Sequence, residues 1–304
     1  MLEVAVIALR WLQYSGAVVL MGVPLFLLYS FGSNGRPAVA WTRPTLIAAA
    51  IALALASLAG LLAQTAVMAG SLSEAMKPSS LTFMVTGMAL GKAYAVRALV
   101  SLLALGLILT LKPGRSLWLL AGTLGAVATA SFAWTGHGAS TEDAGRWLHL
   151  GADVVHLLAA SVWLGALASF VFLLAGRTEP DDPAIHTALA RFSGLGTVAV
   201  TLLVVSGMVN TAFLVGPPRP EASGAAAYVA LLVVKLLLFG LMAVLASDNR
   251  YRLVPALGSM LAKGEDPRSA LLDLRRSVVT ETVAGGALLA VVAVMGTLPP
   301  PASL

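Results

Sequence analysis

Eight stretches of this chain, each close to bilayer length and almost wholly apolar, constrain its fold more than any other feature. They run near Val4–Leu28, Leu46–Ala69, Thr86–Leu109, Leu117–Trp134, Leu148–Leu174, Leu195–Val215, Ala225–Leu245 and Val278–Leu298. A helix needs about 20 such residues to cross a hydrocarbon core, and there every backbone polar group must be paired inside the segment. The expected fold is therefore all-α, a polytopic membrane bundle of about eight transmembrane helices, with residues 1–304 forming one helical domain. Turn formers punctuate the runs: Gly32 to Pro44, Lys77-Pro78, Lys112-Pro113-Gly114, Gly216-Pro217-Pro218 and Pro299 to Pro301. With 59% of 304 residues hydrophobic and 11% charged, the chain has more apolar surface than a soluble domain of this size would bury.

The net charge of +5 lies mostly in the connections, which marks topology rather than a nucleic-acid footprint, so no nucleic-acid partner is expected. Only Lys77, Arg146 and Arg219 fall on one side. Arg36, Arg43, Lys112, Arg115, Arg177, Arg191 and all six basic residues of the Ser247–Arg276 connection fall on the other. The basic side is expected to be cytoplasmic, so both termini face outward, to the periplasm. Trp134 and Trp147 then mark the outer interface, and Trp41 and Trp118 the inner one. The connection Ser247–Arg276 is expected to lie on the inner lipid surface. Glu3 and Arg10 interrupt the N-terminal run, which reads as a retained first span and not a signal peptide.

Within the fifth run, WLHLGADVVHLLAASVWLGAL, His149, Asp153 and His156 recur at helical spacing. At roughly 100° per residue they share one stripe with Ala160 and Trp163. A charged group near the centre of a span costs roughly 2.5–3.5 kcal/mol, so such groups are read as functional by default. His137, between two glycines where the fourth run ends, is expected to join them. Cysteine is absent, so thiolate ligands are excluded. The four residues then make a nitrogen and oxygen site suited to copper or zinc. The plainer alternative pairs Asp153 with a membrane cation and the histidines with backbone or water.

Methionine bears on the choice of metal. Met68, Met84, Met88 and Met208, with Met1, Met76 and Met295, fall on the outer side, and Met242 and Met260 on the inner. Thioethers favour Cu(I), although any single Met is more often apolar filler. His186 is expected to be solvated in an inner loop, and Asn210 to bridge helices. Arg10, Lys92, Arg97 and Lys235 fall within spans and outnumber the acids Asp153 and Glu281. The expected pairs are Lys235 with Asp153, and Arg97 or Arg191 with Glu281, while Arg10 and Lys92 snorkel outward. This positive surplus opposes a simple cation pore and suits an anionic partner, such as haem propionates or a quinone. No phosphate-binding glycine loop, HExxH or Ser–His–Asp pattern is present, so neither enzymatic activity nor ATP coupling is expected.

Several segments resemble the CopD family of copper-resistance inner-membrane proteins. They are SFAWTGHG at 131–138, HLGADVVHLLAASVWLGAL at 149–167, RFSGLG at 191–196, the Lys235-Leu236 span, DNRYRLVPAL at 248–257 and LRRSVVTETVAGGALLAVVAVMGTLPP at 274–300. The likeness is strongest over 131–300. It implies a bacterial inner-membrane protein of copper resistance that takes copper, as Cu(I) or Cu(II), from the periplasm and moves it toward the cytoplasm. It points to His137, His149 and His156, with Asp153 between the last two. The family is associated with CopC, a small periplasmic copper-binding protein fused to some members. This chain shows no such domain, so a separate CopC-like donor is expected. Two rivals stay open: a haem-binding electron carrier using one of these histidines as axial ligand, and a chaperone that loads copper into another membrane protein without transport.

Overall fold

The computed structural model describes residues 2–31, 40–136, 141, 144–175, 182–216 and 225–303, and every regular element among them is helical. The order is α1 (Leu2–Phe31), α2 (Thr42–Ala69), the short α3 (Leu72–Ala75), α4 (Pro78–Gly87), α5 (Ala89–Thr110) and α6 (Arg115–Ala130). A 3-10 turn follows at Ser131–Trp134, then α7 (Arg146–Ala175), α8 (Asp182–Val215) and α9 (Ala225–Asp248). A π-helical turn (Asn249–Leu253) leads to α10 (Val254–Lys263) and α11 (Arg268–Met295). Eight of these helical segments are long and apolar enough to cross a membrane, matching the eight apolar runs in order. The protein is a multi-pass membrane protein.

Local chemistry explains where the helices stop. Gly70, at φ 79°, ends α2, and the Ser71 hydroxyl accepts the Glu74 N–H to start α3. Many buried hydroxyls return to their own helix, as Ser101 does to the Arg97 carbonyl and Ser169 to that of Gly165. Such groups need no neighbour.

Three boundaries differ from the sequence reading. The third run breaks at Met88, where α4 meets α5, because Gly91 lets the α5 backbone come against the Met84 carbonyl. Helix α8 starts at Asp182 and not near Leu195, so His186 lies on a helix, against Gly258 of α10, rather than in a solvated loop. The connection Ser247–Arg276 folds into the π turn, α10 and the start of α11. In the last two cases the helix continues past the point where hydropathy falls, because helical hydrogen bonding does not depend on lipid.

Helix α1 is central. It packs against α2, α6, α7 and α11, and more lightly against α8; α5 completes one side by packing on α2 and α6. On the other side α7 packs on α8 and α11, and α11 on α9. Helices α8 and α9, though consecutive, hardly touch. Both ends of the chain meet at one end of the bundle, where Arg10 donates to the Gly296 carbonyl. At the opposite end Tyr29 donates to the Arg191 carbonyl, and Arg191 to that of Ser30.

Helices α1 and α7 cross backbone to backbone. A Cβ at Gly22 would stand 2.4 Å from the Ser161 carbonyl oxygen, and one at Gly165 would stand 2.4 Å from the Gly22 Cα. Membrane helices have no hydrophobic drive toward one another, so small residues that let backbones touch supply much of the attraction. Gly165→Ala should lose roughly 1–3 kcal/mol by overpacking and lower the thermal unfolding midpoint in detergent. Gly106→Ala, where an added Cβ meets nothing within 4 Å, should show no loss.

Candidate metal-handling site

Roughly 160° around α7 from Gly165 lies the polar stripe, which the α1 crossing turns toward α8 and α9. His149 is 1% exposed; its Nδ1 lies 2.7 Å from the Thr141 hydroxyl, and its ring stacks flat on Phe213, centroids 4.7 Å apart. One turn deeper, Asp153 accepts a long hydrogen bond, 3.4 Å, from the Asn210 amide. It also interacts electrostatically with Lys235 and Tyr228 of α9. One turn deeper again, His156 Nδ1 lies 3.0 Å from the Ser206 hydroxyl.

The pairs form a register. Descending α7 through 149, 153 and 156 meets 213, 210 and 206 of antiparallel α8. Asn210 does bridge helices. The Ser206 hydroxyl donates to the Leu202 carbonyl, so it accepts from His156. With the proton on Nδ1 in this arrangement, Nε2 would be the ring nitrogen with a lone pair. The ring lies directly against Gly207, where an added Cβ would be in ordinary contact with His156 Cε1 at 3.4 Å.

His156 borders a cavity of about 630 Å³ between α7, α8, α9 and α11, shared with Met208, Lys235, Phe239 and Met242. Trp163 closes its deep side. Beyond Trp163 a second cavity of about 230 Å³ is lined by Glu281, Asn249 and Arg250. The Trp163 indole donates to Glu281 Oε1 at 2.9 Å and meets Phe239 edge to face. The two cavities thus share one wall.

The expected ligands are only partly brought together. His149, Asp153 and His156 share the stripe, but each has its own partner on or beside α8. Among the described residues no three His, Asp or Glu side chains gather around one point. His137 lies outside the described residues. Met208 faces the cavity that His156 borders. Met84 is buried in the α4–α5 corner, Met88 stands at the break, and Met68 is exposed on α2. These three belong to the α2–α4–α5 side, whereas the stripe faces α8.

The cations also redistribute. Arg97 does not reach Glu281; fully buried, it bonds Gln13, Ser131 and Thr135 and lies over the Phe132 ring at 3.7 Å. Arg191 is engaged at the opposite end of the bundle, where it donates to the Ser30 carbonyl. Glu281 has neutral donors instead, Trp163 and Asn249. The reason is placement: α5 and α11 pack on different neighbours, so counting charges misassigned the pair. Of the four membrane cations only Lys235 lines the larger cavity, with the Asp153 charge to offset it.

Of the partners on α8, Ser206 and Phe213 were the ones that sequence reasoning missed. Their signal was available: Ser206, Asn210 and Phe213 carry the stripe's own four-and-three spacing in reverse order. A double-mutant cycle on His156→Ala and Ser206→Ala should give a coupling of roughly 0.6 kcal/mol, typical of an interhelical membrane hydrogen bond. Measured the same way by detergent unfolding, Thr211→Ala should show no coupling to His156, because its hydroxyl returns to the Gly207 carbonyl.

Comparison with known proteins agrees with this architecture. Residues 1–147 match the family model of the copper resistance protein D-like N-terminal domain, and residues 186–295 match that of copper resistance protein D. The polar stripe of α7 lies between the two matches. Copper resistance protein D of Pseudomonas syringae pv. tomato is 37% identical over 303 residues, covering 97% of this chain and 96% of that protein. The copper transport protein CutJ of Bacillus subtilis is 27% identical over 96% of this chain and 52% of its own length. The inner membrane protein YebZ of Escherichia coli is 29% identical over 57% of this chain and 58% of its own length. No solved structure matches. By its near full-length likeness to the Pseudomonas protein and its two model matches, the chain belongs to the copper resistance protein D family.

Proposed function

We propose that the chain transports copper from the periplasm toward the cytoplasm along the polar stripe of α7. The observation that carries this reading is the state of His156. Its Nδ1 is held by Ser206, its Nε2 has the lone pair, and it borders a cavity with the Met208 and Met242 thioethers. Imidazole with thioether is a donor set that favours Cu(I), and the supporting hydrogen bond is the usual companion of a metal-ligating histidine. The residues are strung along the helix, not gathered around one point. That suits passing an ion onward better than storing it.

In this reading both termini face the periplasm, as the basic residues argue. Copper from a separate CopC-like donor first meets exposed Met68 and half-buried Met88, with Met84 behind them, and His137. It then passes His149 and Asp153 to His156 and Met208. Asp153 offsets the Lys235 charge that would otherwise oppose a cation in the cavity.

Purified wild-type protein should carry copper and be colourless in the Soret region; a haem band would replace this reading with the electron-carrier one. His156→Ala should weaken copper binding by roughly tenfold or more without unfolding the protein. His149→Ala should lower it as well. In sealed vesicles the wild type should accumulate luminal copper. Binding without accumulation would reject transport in favour of copper loading.

A further inference from the structure

Glu281 is 1% exposed, inside a membrane helix, and lines the smaller cavity, bonded to the Trp163 indole that lines both. Its carboxyl accepts from the Trp163 indole at Oε1 and from the Asn249 amide, 3.1 Å away, at Oε2. Asn249 Oδ1 is itself buried and has no hydrogen-bond partner among the described residues. A buried acceptor without a partner calls for an explanation.

Both features have one explanation. An ionised Glu281 accepts from the Asn249 NH₂. A neutral Glu281 has an O–H to give, and rotating the Asn249 amide by half a turn presents Oδ1 to take it. Trp163 donates in either state. The cluster therefore satisfies the carboxylate and the carboxylic acid equally, which a Glu paired with a fixed cation would not.

Its surroundings support this. Helix α7 contributes Trp163 to the smaller cavity, α8 the hydroxyls of Ser193, Thr197 and Thr201, and the end of α9 with its π turn Ser247, Asn249, Arg250 and Tyr251. Arg250 donates to the Ser193 carbonyl and the Thr197 hydroxyl. Helix α10 contributes Val254, its Lys263 being exposed, and α1 meets α11 through Arg10 and Trp11 toward the terminal end. Across Trp163, the larger cavity holds His156 and Lys235. Asn249 opens the π turn, an irregularity that recurs at functional sites in helices.

We propose that Glu281, with Asn249 as its rotating partner and Trp163 as its fixed one, is a proton-exchange site that couples proton movement to the cation crossing between the cavities. Glu281 takes a proton from water in the smaller cavity and becomes neutral. A cation arriving beside Trp163 from the larger cavity favours the ionised form, and the proton leaves to water on that larger-cavity side, so proton and cation cross in opposite directions. The coupling rests on the transport reading above, whereas the proton site itself does not.

Two measurements separate them. Infrared difference spectra between acid and alkaline pH, taken on the full-length protein in lipid without copper, should show a protonated-carboxyl band. The band should be lost in Glu281→Gln and displaced in Asn249→Ala. The Gln variant should fold, since its amide keeps both partners. Spectra identical in wild type and Glu281→Gln would overturn the proton site. In proteoliposomes, an imposed pH gradient should change wild-type copper accumulation severalfold, and Glu281→Gln should bind copper normally but lose that response. An equal response in both would overturn the coupling. A titrating band in a wild type that accumulates no copper would overturn the transport reading, and the coupling with it, leaving the proton site standing.

Discussion

The contact of two backbones at Gly22 and Gly165 sets the rest of the molecule. Because α7 lies flush against α1 on its glycine face, the opposite face has one direction left to it, toward α8 and α9. That face carries His149, Asp153 and His156. Their orientation is thus decided by residues that have no chemistry of their own. A side chain at either glycine would lift α7 away and detune three interhelical contacts at once.

A second constraint is that polar groups in hydrocarbon must find partners, and this chain meets it with neutral groups more than with ion pairs. Arg97 is stabilised by an amide, two hydroxyls and aromatic rings. Glu281 has an indole and an amide; His156 has a hydroxyl. Fixed ion pairs are found mainly at exposed positions, as in Lys77 with Glu74 and Arg252 with Asp248. Neutral partners leave a buried ionisable group able to change state, because no opposite charge is stranded when it does.

The membrane spans and the α7 stripe were legible in the sequence, since length, hydropathy and 100° spacing are properties of one segment. What was not legible depends on how segments rotate against one another. The spacing of Ser206, Asn210 and Phe213 matches the stripe, but that Ser206 faces His156 follows from the turn α1 imposes on α7. The start of α8 at Asp182 was hidden because Asp182, His186 and Arg191 lie where hydropathy falls, though the helix runs on. The pairing of Glu281 was missed because charge balance ignores distance. Asn249 escaped notice altogether, as a polar residue in an apparently basic loop. Its position depends on the π turn, which has no spacing rule to betray it.

The loose meeting of α8 and α9 has a consequence for the medium around the larger cavity. Its rim includes Met208 and Leu236, both well exposed, so the opening is lateral and adjoins acyl chains. The polarity around His156 and Lys235 therefore depends partly on the hydrocarbon that borders this side of the bundle. Bilayer thickness and unsaturation become chemical variables for these side chains, acting without any headgroup-recognition motif.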